Sequence, residues 1–364
     1  MKIQEIIRSL EKWAPPALQE SYDNAGVICG DTQQELTEIL VSLDCTEAIV
    51  DEAIQKGCNL IVSHHPIVFR GLKSLTGKNY VERTVIKAIQ NNIVLYATHT
   101  NLDHVSTGVN FQIGQKLGIE NPKILAPKKD LLQKLVTFCP KQQAEEVRQA
   151  LFDAGAGHIG QYDHCSFNQA GSGTFRASES ANPYVGEIGK EHLEEEVRIE
   201  VVLPAYSKNQ IISALLKAHP YEEVAWDLYN LANEHPTTGA GMVGDLSEPM
   251  EVEAFLTLLK ERFKVPVVRH TPLVKSKVQR IAWCGGAGSF LIGQAKRAGA
   301  DLYLTGDVKY HEFFDAEDDL IIADIGHFES EQFTIQLIAS HLKQNFSKFA
   351  SHLTEVNTNP VKYF

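Results

Sequence analysis

Short apolar runs alternate with amphipathic segments in the first part of the chain. The apolar runs predict buried strands at residues 39–43, 60–62 and 93–97. The amphipathic segments predict helices at residues 47–56, 80–90 and 108–117. Strands and helices that alternate in this way are typical of βα units stacked around a mainly parallel sheet. The first part of the chain therefore predicts a layered α/β structure.

The same alternation returns in the last third of the chain. Strands are predicted there at residues 265–268, 278–284, 301–304 and 320–323. Helices are predicted at residues 252–263, 289–297 and 329–344. The glycines of residues 285–288 precede the second of these helices, but they lack the G-x-G-x-x-G spacing and no Walker lysine follows. A tight strand-to-helix turn is favoured over a phosphate-binding loop, although the segment could line a crevice.

The middle of the chain has a different pattern of residues. The change begins with the prolines and charged residues of the stretch 121–130. Strands are predicted at residues 131–138, 161–168, 197–203 and 224–231, and helices at residues 142–154 and 209–218. A Gly/Ser-rich stretch, residues 169–180, predicts a flexible loop. This order of strands and helices is the ferredoxin-like, split-βαβ pattern.

The residue patterns of the first part, the middle and the last third of the chain predict an α/β fold class. In this fold two βα-layered halves form one domain. The halves are residues 1–127 and 236–364, and a ferredoxin-like α+β insertion at residues 128–235 interrupts them. A chain of 364 residues is too long for one ordinary core, so more than one domain is expected. An insertion explains the shared texture of the two ends better than three consecutive domains.

Charge and composition narrow the classes of function. The formal net charge of -12 argues against a broad face for nucleic acid, although a local nucleotide pocket remains compatible with it. No run approaches the roughly 20 apolar residues of a membrane span, and the N-terminus predicts an amphipathic helix rather than a signal peptide. The six cysteines form no C-x-x-C pair. We expect a cytoplasmic protein with reduced thiols and with no membrane or long nucleic acid partner.

Residues that bind metals follow three of the predicted strands. Histidines or carboxylates come directly after the runs 60–62, 93–97 and 320–323. They are His64, His65, His99, Asp103, His327 and Glu331. Because the carboxyl ends of parallel strands meet in one crevice, we expect these side chains to converge.

Each of these motifs also has a purely structural explanation. His64 and His65 could cap a strand end, but neighbouring extended residues point to opposite sides and could serve two ions. The polar residues in the loop with His99 could simply stabilise a turn. Alternatively, His99 could be a metal ligand or could orient one. His327 and Glu331 share one helix face at i, i+4 spacing, which is also common at a helix N-terminus. Together, however, the three strand ends supply more donors than one tetrahedral ion uses, so we predict two ions bridged by a carboxylate.

A further candidate follows the strand predicted at 301–304. Asp307 and His311 are spaced i, i+4, so His311 could face the same crevice as a proton donor or acceptor. The alternative is a helix-capping aspartate followed by a surface histidine. No nucleophile elbow or Ser/His/Asp pattern is present in the sequence.

Four separated motifs and the opening stretch 22–26 resemble the signature of the NIF-three-like family, the GTP cyclohydrolase I type 2 homologues. The motifs are residues 63–66, 98–103, 305–311 and 324–331. The resemblance implies two α/β halves in one compact unit, a dinuclear divalent-metal site and ring-shaped homohexamers. It implies five metal ligands, namely His64, His65, Asp103, His327 and Glu331. The middle module resembles the PII/CutA-like insertion of longer members, which forms trimers and regulates rather than catalyses.

Two functions follow from these observations. The first is a metal-dependent hydrolase for a small nucleotide-like or purine-derived molecule, in which His311 or His99 shuttles protons. The second is a non-catalytic metal-binding or regulatory ring with a ligand-sensing PII-like module. Nitrogen and oxygen donors accept Zn, Mn, Fe or Mg. Zinc is the expected ion, with two divalent ions per chain.

Overall fold

A computed structural model describes residues 1–364, and the chain divides into two compact units. The first unit comprises residues 1–126 and 237–364, and the second comprises residues 127–236. None of the helices has the length and apolar character needed to cross a membrane.

The chain forms fifteen strands in three sheets. In chain order the strands are β1 (Gly26–Cys29), β2 (Ile39–Ser42), β3 (Leu60–Ser63), β4 (Val94–Ala97), β5 (Lys123–Pro127), β6 (Leu132–Pro140), β7 (Ser166–Arg176), β8 (Glu191–Pro204), β9 (Trp226–Asn230), β10 (Gly239–Glu251), β11 (Arg269–His270), β12 (Lys277–Ala287), β13 (Leu302–Gly306), β14 (Ile321–Asp324) and β15 (Ser351–Leu353).

Eleven α-helices connect or cover these strands. They are α1 (Ile3–Trp13), α2 (Glu47–Lys56), α3 (Tyr80–Gln90), α4 (Thr100–His104), α5 (Val109–Leu117), α6 (Ala144–Asp153), α7 (Lys208–Ala218), α8 (Val252–Phe263), α9 (Ile292–Arg297), α10 (His327–Glu331) and α11 (Thr334–Asn345). Short 3₁₀ helices lie at Pro16–Leu18, Ala205–Ser207, Ser289–Leu291 and Tyr310–Ala316.

The five-stranded sheet of the first unit has the order β1-β4-β3-β2-β15. Strands β15, β2, β3 and β4 are parallel, and β1 is antiparallel to β4. Every residue of β2, β3 and β4 is buried, which explains why these strands are continuous apolar runs rather than alternating ones. The parallel strands place their carboxyl ends at one edge of the sheet.

The six-stranded sheet of the first unit has the order β11-β14-β13-β12-β10-β5, with β12, β13 and β14 parallel. Its core includes the fully buried Trp283 of β12, whose Nε1–H donates to the carbonyl of Asn110 at 2.7 Å. Gly114 of α5 lies against the same indole, because a Cβ there would stand 2.6 Å from the ring. Helix α5, from the first half of the chain, thereby packs on a strand from the second half.

The second unit is a four-stranded antiparallel sheet of order β7-β8-β6-β9 with two helices. Side chains that alternate along β6 and β8 pack with α6 and α7 on one face of the sheet. This core contains Leu135, Cys139, Val147, Leu151, Ile199, Val201, Leu203, Ile211 and Leu215. Glu196, Arg198 and Glu200 occupy the intervening positions of β8 and therefore face the other side.

Several predictions of local structure are wrong. The Gly/Ser-rich stretch 169–180 is not a flexible loop in its first half, because β7 extends to Arg176 and pairs with β8 along its whole length. The strand predicted at 161–168 begins only at Ser166, and β8 begins six residues earlier than predicted, at Glu191 rather than 197. Most β7 side chains are exposed on both faces, so the strand lacks the apolar alternation that would have indicated it.

The second half of the chain also differs in detail. Strand β10 was not predicted, and the strand predicted at 265–268 is replaced by the two-residue β11. The helix predicted at 329–344 is two helices, α10 and α11, separated by Gln332 and Phe333. The glycines of 285–287 belong to the end of β12, and the following helix begins at Ile292 after a 3₁₀ turn.

Candidate metal centre

Three buried strands of the first unit end beside one another and lead into polar residues. Strand β3 is followed by His64 and His65, β4 by His99 and then α4, and β14 by the short helix α10. The N–H groups of His64 and His65 donate to the carbonyls of Ser42 and Leu43, at 3.2 and 2.8 Å, so both residues stay tied to the neighbouring strand. The backbone at the strand ends is therefore fixed before any ion binds.

Each of four imidazoles is held through its Nδ1 atom by an oxygen at 2.7 or 2.8 Å. The pairs are His64 with the carbonyl of Thr98, His65 with Asp44, His99 with Asp23, and His327 with Asp307. An Nδ1–H that donates outward leaves Nε2 as the atom that can accept or coordinate. Metal-binding histidines are usually oriented by such a hydrogen bond from the ring nitrogen that does not face the metal.

The inner atoms form two groups that share Glu331. Its Oε2 lies 3.0 Å from His65 Nε2 and 3.1 Å from His327 Nε2. Its Oε1 lies 3.7 Å from His64 Nε2, and Asp103 Oδ1 lies 3.7 Å from the same nitrogen. One carboxylate oxygen therefore faces each group, as expected for a residue that bridges two cations.

Two inner atoms have no hydrogen-bond partner although they are buried. They are His64 Nε2 and Asp103 Oδ1, and the His64 side chain is fully buried. A buried polar atom without a partner costs about 1–3 kcal/mol. A cation between the two atoms would satisfy both, so the residues present fit a divalent metal.

No thiolate completes this donor set. Cys284 lines the same crevice, but burial raises the pKa of its thiol far above the usual range, and the carboxylates of Asp103 and Glu331 add to the effect. The thiol therefore stays protonated, and the donors are imidazole nitrogens and carboxylate oxygens. Such donors suit Zn, Mn, Fe or Mg.

Protons take the place of cations when the centre holds no metal. Burial opposes the charge of His65, but hydrogen bonds to Asp44 and Glu331 raise its pKa to about 9. Burial likewise opposes the charge of His327, yet Glu331 and Asp307 raise its pKa to about 11. For Asp103, burial and the nearby charge of Glu331 raise the pKa above its usual range. At neutral pH the metal-free centre therefore carries two imidazolium groups.

We predict that metal binding releases these protons. At pH 7, His65 and His327 each give up about one proton, so about two or more are released per chain. At pH 9, His65 contributes only about half a proton, so fewer protons are released than at pH 7. Calorimetric titration in buffers of different ionisation enthalpy measures both values. A release below about one proton at pH 7 would contradict the protonated centre.

The centre opens into a crevice of about 620 Å³. Its lining includes His65, His99, Asp103, His327 and Glu331 together with several apolar side chains. Among these are four aromatic residues that are largely exposed, namely Tyr22, Phe69, Tyr80 and Phe290. The volume lies within the range of small-molecule sites.

The structure brings together all but one of the predicted site residues. His64, His65, His99, Asp103, His327 and Glu331 converge on the crevice. His311 does not, since it is exposed and its ring contacts Tyr310 and Phe314. The i, i+4 geometry assumed for Asp307 and His311 is wrong, because Asp307 has a left-handed backbone with φ +55°. Asp307 instead holds the ring of His327.

The sequence interpretation missed four residues that position the histidines. Asp44 lies two residues after strand β2 and Asp307 directly follows β13, so the rule that identified the ligands could have identified them as well. Asp23 lies in the stretch 22–26 that carried the family resemblance. Thr358, whose hydroxyl donates to Asp44 at 2.5 Å, lies in the C-terminal segment, where no pattern indicates a role.

Comparisons with known proteins agree on one family. The profile of Duf34/NIF3 (NGG1p interacting factor 3) matches residues 1–360. A Halalkalibacterium halodurans protein named GTP cyclohydrolase 1 type 2 homolog is 42% identical over 326 residues, which cover 89% of this chain and 88% of that protein. A Bacillus subtilis protein of the same name is 37% identical over 99% of this chain and 98% of its own length.

Two solved structures resemble the whole chain. A Bacillus cereus protein related to NIF3 superposes with a TM-score of 0.87 at 38% identity, and the match covers 100% of this chain and 99% of that one. A Staphylococcus aureus protein superposes with a TM-score of 0.78 at 31% identity and with the same coverage.

Proposed function

The chain belongs to the Duf34/NIF3 family, and we propose that it is a two-ion hydrolase for small nucleotide-like or purine-derived molecules. The observation that carries the proposal is the position of Glu331, whose two oxygens face two separate groups of ligands. Storage of an ion does not require two sites on one carboxylate beside an open crevice. Hydrolysis makes use of such a pair.

Each ion would have three protein ligands. His64, Asp103 and Glu331 form one set, and His65, His327 and Glu331 form the other. Zinc is the ion that we propose for both sites, with Mn, Fe or Mg as alternatives. Divalent ions held in this way supply Lewis acidity and lower the pKa of water.

His99 is the residue best placed to carry a proton. It lines the crevice, and one of its ring nitrogens lies within 4.8 Å of ring nitrogens of His64 and His65. Its Nδ1–H donates to Asp23; although burial opposes that charge, the His99 hydrogen bond lowers the pKa of Asp23 to about 2. Asp23 therefore stays ionised and fixes the orientation of the His99 ring, as the acidic partner of a general base does.

Aromatic side chains in the lining of the crevice support the substrate class. The rings of Tyr22 and Phe69 lie 6.2 Å apart, and Phe69 lies 6.2 Å from His99. Exposed aromatic faces next to charged groups suit a flat heteroaromatic ring that carries polar substituents.

Turnover of a panel of nucleotides, nucleosides and phosphoesters by metal-loaded protein tests the proposed function. For any substrate that is hydrolysed, His99→Asn should lower kcat by about 10² to 10⁴, the usual contribution of general acid–base catalysis. Two ions per chain should remain bound in this variant. His311→Asn is the matched control, because that ring contacts Tyr310 and Phe314 rather than the crevice. A larger loss in the control would transfer the role to His311.

A ring-shaped homohexamer is also part of the proposal, on the strength of the family's motifs. Light scattering at micromolar concentration should give a mass about six times that of the 40.4 kDa chain. With the centres facing an enclosed cavity, long duplex DNA should bind weakly, as the net charge of -12 also suggests. A monomeric mass would contradict both expectations.

A further inference from the structure

The second unit contains a cavity of about 770 Å³, larger than the metal crevice. It lies on the face of the sheet that helices α6 and α7 leave uncovered. Its floor includes Phe138, Glu196 and Arg198, which point away from the core that α6 and α7 cover. The segment that follows β7 and the turn at residues 221–223 form the walls. The backbone N–H of Asn182 donates to the side-chain carboxylate of Glu222 at 2.7 Å and joins these two walls.

Aromatic rings line much of this cavity. They belong to Phe138, Phe175, Tyr184 and Tyr221. The Tyr221 ring lies 6.2 Å from the rings of both Phe175 and Tyr184, with interplanar angles of 58° and 52°. Rings that are spread around a space rather than stacked on one another leave their faces available to a flat ligand.

Two charged side chains stand next to each other on β8. One oxygen of Glu196 accepts the Tyr221 hydroxyl at 3.0 Å, and the other lies over Gly173, where a side chain would collide with it. Arg198 Nη2 forms an ion pair with Glu200 at 2.9 Å, but the Nε–H of Arg198 is buried without a hydrogen-bond partner. The cavity thus presents a fixed acceptor beside an unused donor, and a ligand that matches both would remove the cost of the unpaired Nε–H.

The backbone of β7 leaves room for such a ligand. Gly171 pairs in register with Glu196 and lines the cavity. A Cβ at Gly171 would meet no heavy atom within 4 Å. A flat ring could therefore approach the strand closely at this point.

We propose that this cavity is a second binding site and that it takes a purine-type ring. The ring lies among the four aromatic side chains. An N–H group on its edge donates to Glu196, and an adjacent ring nitrogen or carbonyl oxygen accepts the Nε–H of Arg198. A fused bicyclic ring carries both kinds of group on one edge and suits a cavity of this volume. The site involves no metal and does not rest on the proposed hydrolase function.

Calorimetry on the full chain, with guanosine, adenosine and uridine as probes, tests the proposal. At least one purine nucleoside should bind, and uridine should bind at least about tenfold more weakly. Arg198→Met keeps the apolar stem but removes the Nε–H donor, so it should weaken binding by about tenfold or more. Gly171→Leu fills the cavity and should abolish binding. Ser213→Leu, at an exposed position of α7 on the other face of the sheet, is the matched control and should bind as the unaltered chain does.

A comparison with Glu331→Gln separates this site from the metal crevice. Binding that survives in Glu331→Gln and in chelator-treated protein, but is lost in Gly171→Leu, supports the cavity. Binding that is lost in Glu331→Gln and kept in Gly171→Leu places the nucleoside in the crevice and overturns the proposal. The absence of purine binding also overturns the proposal. A lower oligomer mass in Gly171→Leu in that case means that another copy of the chain covers this face.

Discussion

Glu331→Gln is expected to lower the metal content of the centre and to slow hydrolysis strongly. A glutamine offers one acceptor oxygen, so its NH₂ group must face one of the two ligand groups that the carboxylate now serves. The metal content should fall below two ions per chain by elemental analysis. The rate of any hydrolysis should fall by about a thousandfold, or about 4 kcal/mol in the activation barrier.

Glu329→Gln is the matched control for this prediction. Glu329 lies on the same short helix and is also buried, but its carboxylate accepts the side-chain amide of Asn359 at 2.9 Å and belongs to neither ligand group. The control should keep both ions and its activity. Two ions retained in Glu331→Gln would contradict the assignment of a bridging carboxylate.

Gly286→Ala is expected to remove metal without altering any ligand. Gly286 is the next-to-last residue of strand β12 and has φ +64°, and a Cβ there would collide with Glu331 Oε1 and stand 3.3 Å from His327 Cε1. The buried carboxylate cannot move aside without leaving its place between the two ligand groups. Elemental analysis should show fewer than two ions per chain, and the free energy of unfolding should fall by more than the roughly 1 kcal/mol that such a backbone conformation costs.

Gly299→Ala separates strain from collision. Gly299 has a similar backbone, with φ +69°, but a Cβ there would meet nothing within 4 Å. Denaturant unfolding should show only the backbone cost for this variant, and its metal content should equal that of the unaltered chain. Equal metal contents in the two variants would show that metal binding does not require the absence of a Cβ at Gly286.

The convergence of the candidate metal ligands could be predicted from their positions in the sequence. His64, Asp103 and His327 each follow a continuous apolar run, and such a run predicts a buried parallel strand. The carboxyl ends of parallel strands meet at one edge, so convergence followed from the pattern alone. The same reasoning failed for His311, because the left-handed backbone at Asp307 directs the chain away from a regular helix.

Other features of the structure could not be predicted from the local sequence pattern. Strand β7 is exposed on both faces, and its pairing with β8 supplies the hydrogen bonds that its composition does not indicate. The role of Thr358 depends on a contact with Asp44, which is 314 residues away in the chain. Contacts between such distant residues depend on packing rather than on periodicity.

The sequence by itself determined the α/β character of the two ends of the chain, the change of texture in the middle, and the residue types that gather at the strand ends. Apolar periodicity and strand direction suffice for these, since both are local properties of the chain. Only the tertiary structure decided which oxygen holds each imidazole, that Glu331 divides its two oxygens between two groups, and that a cavity opens in the second unit. These depend on side chains brought within about 3 to 4 Å by packing of distant segments, a distance scale that no linear pattern specifies.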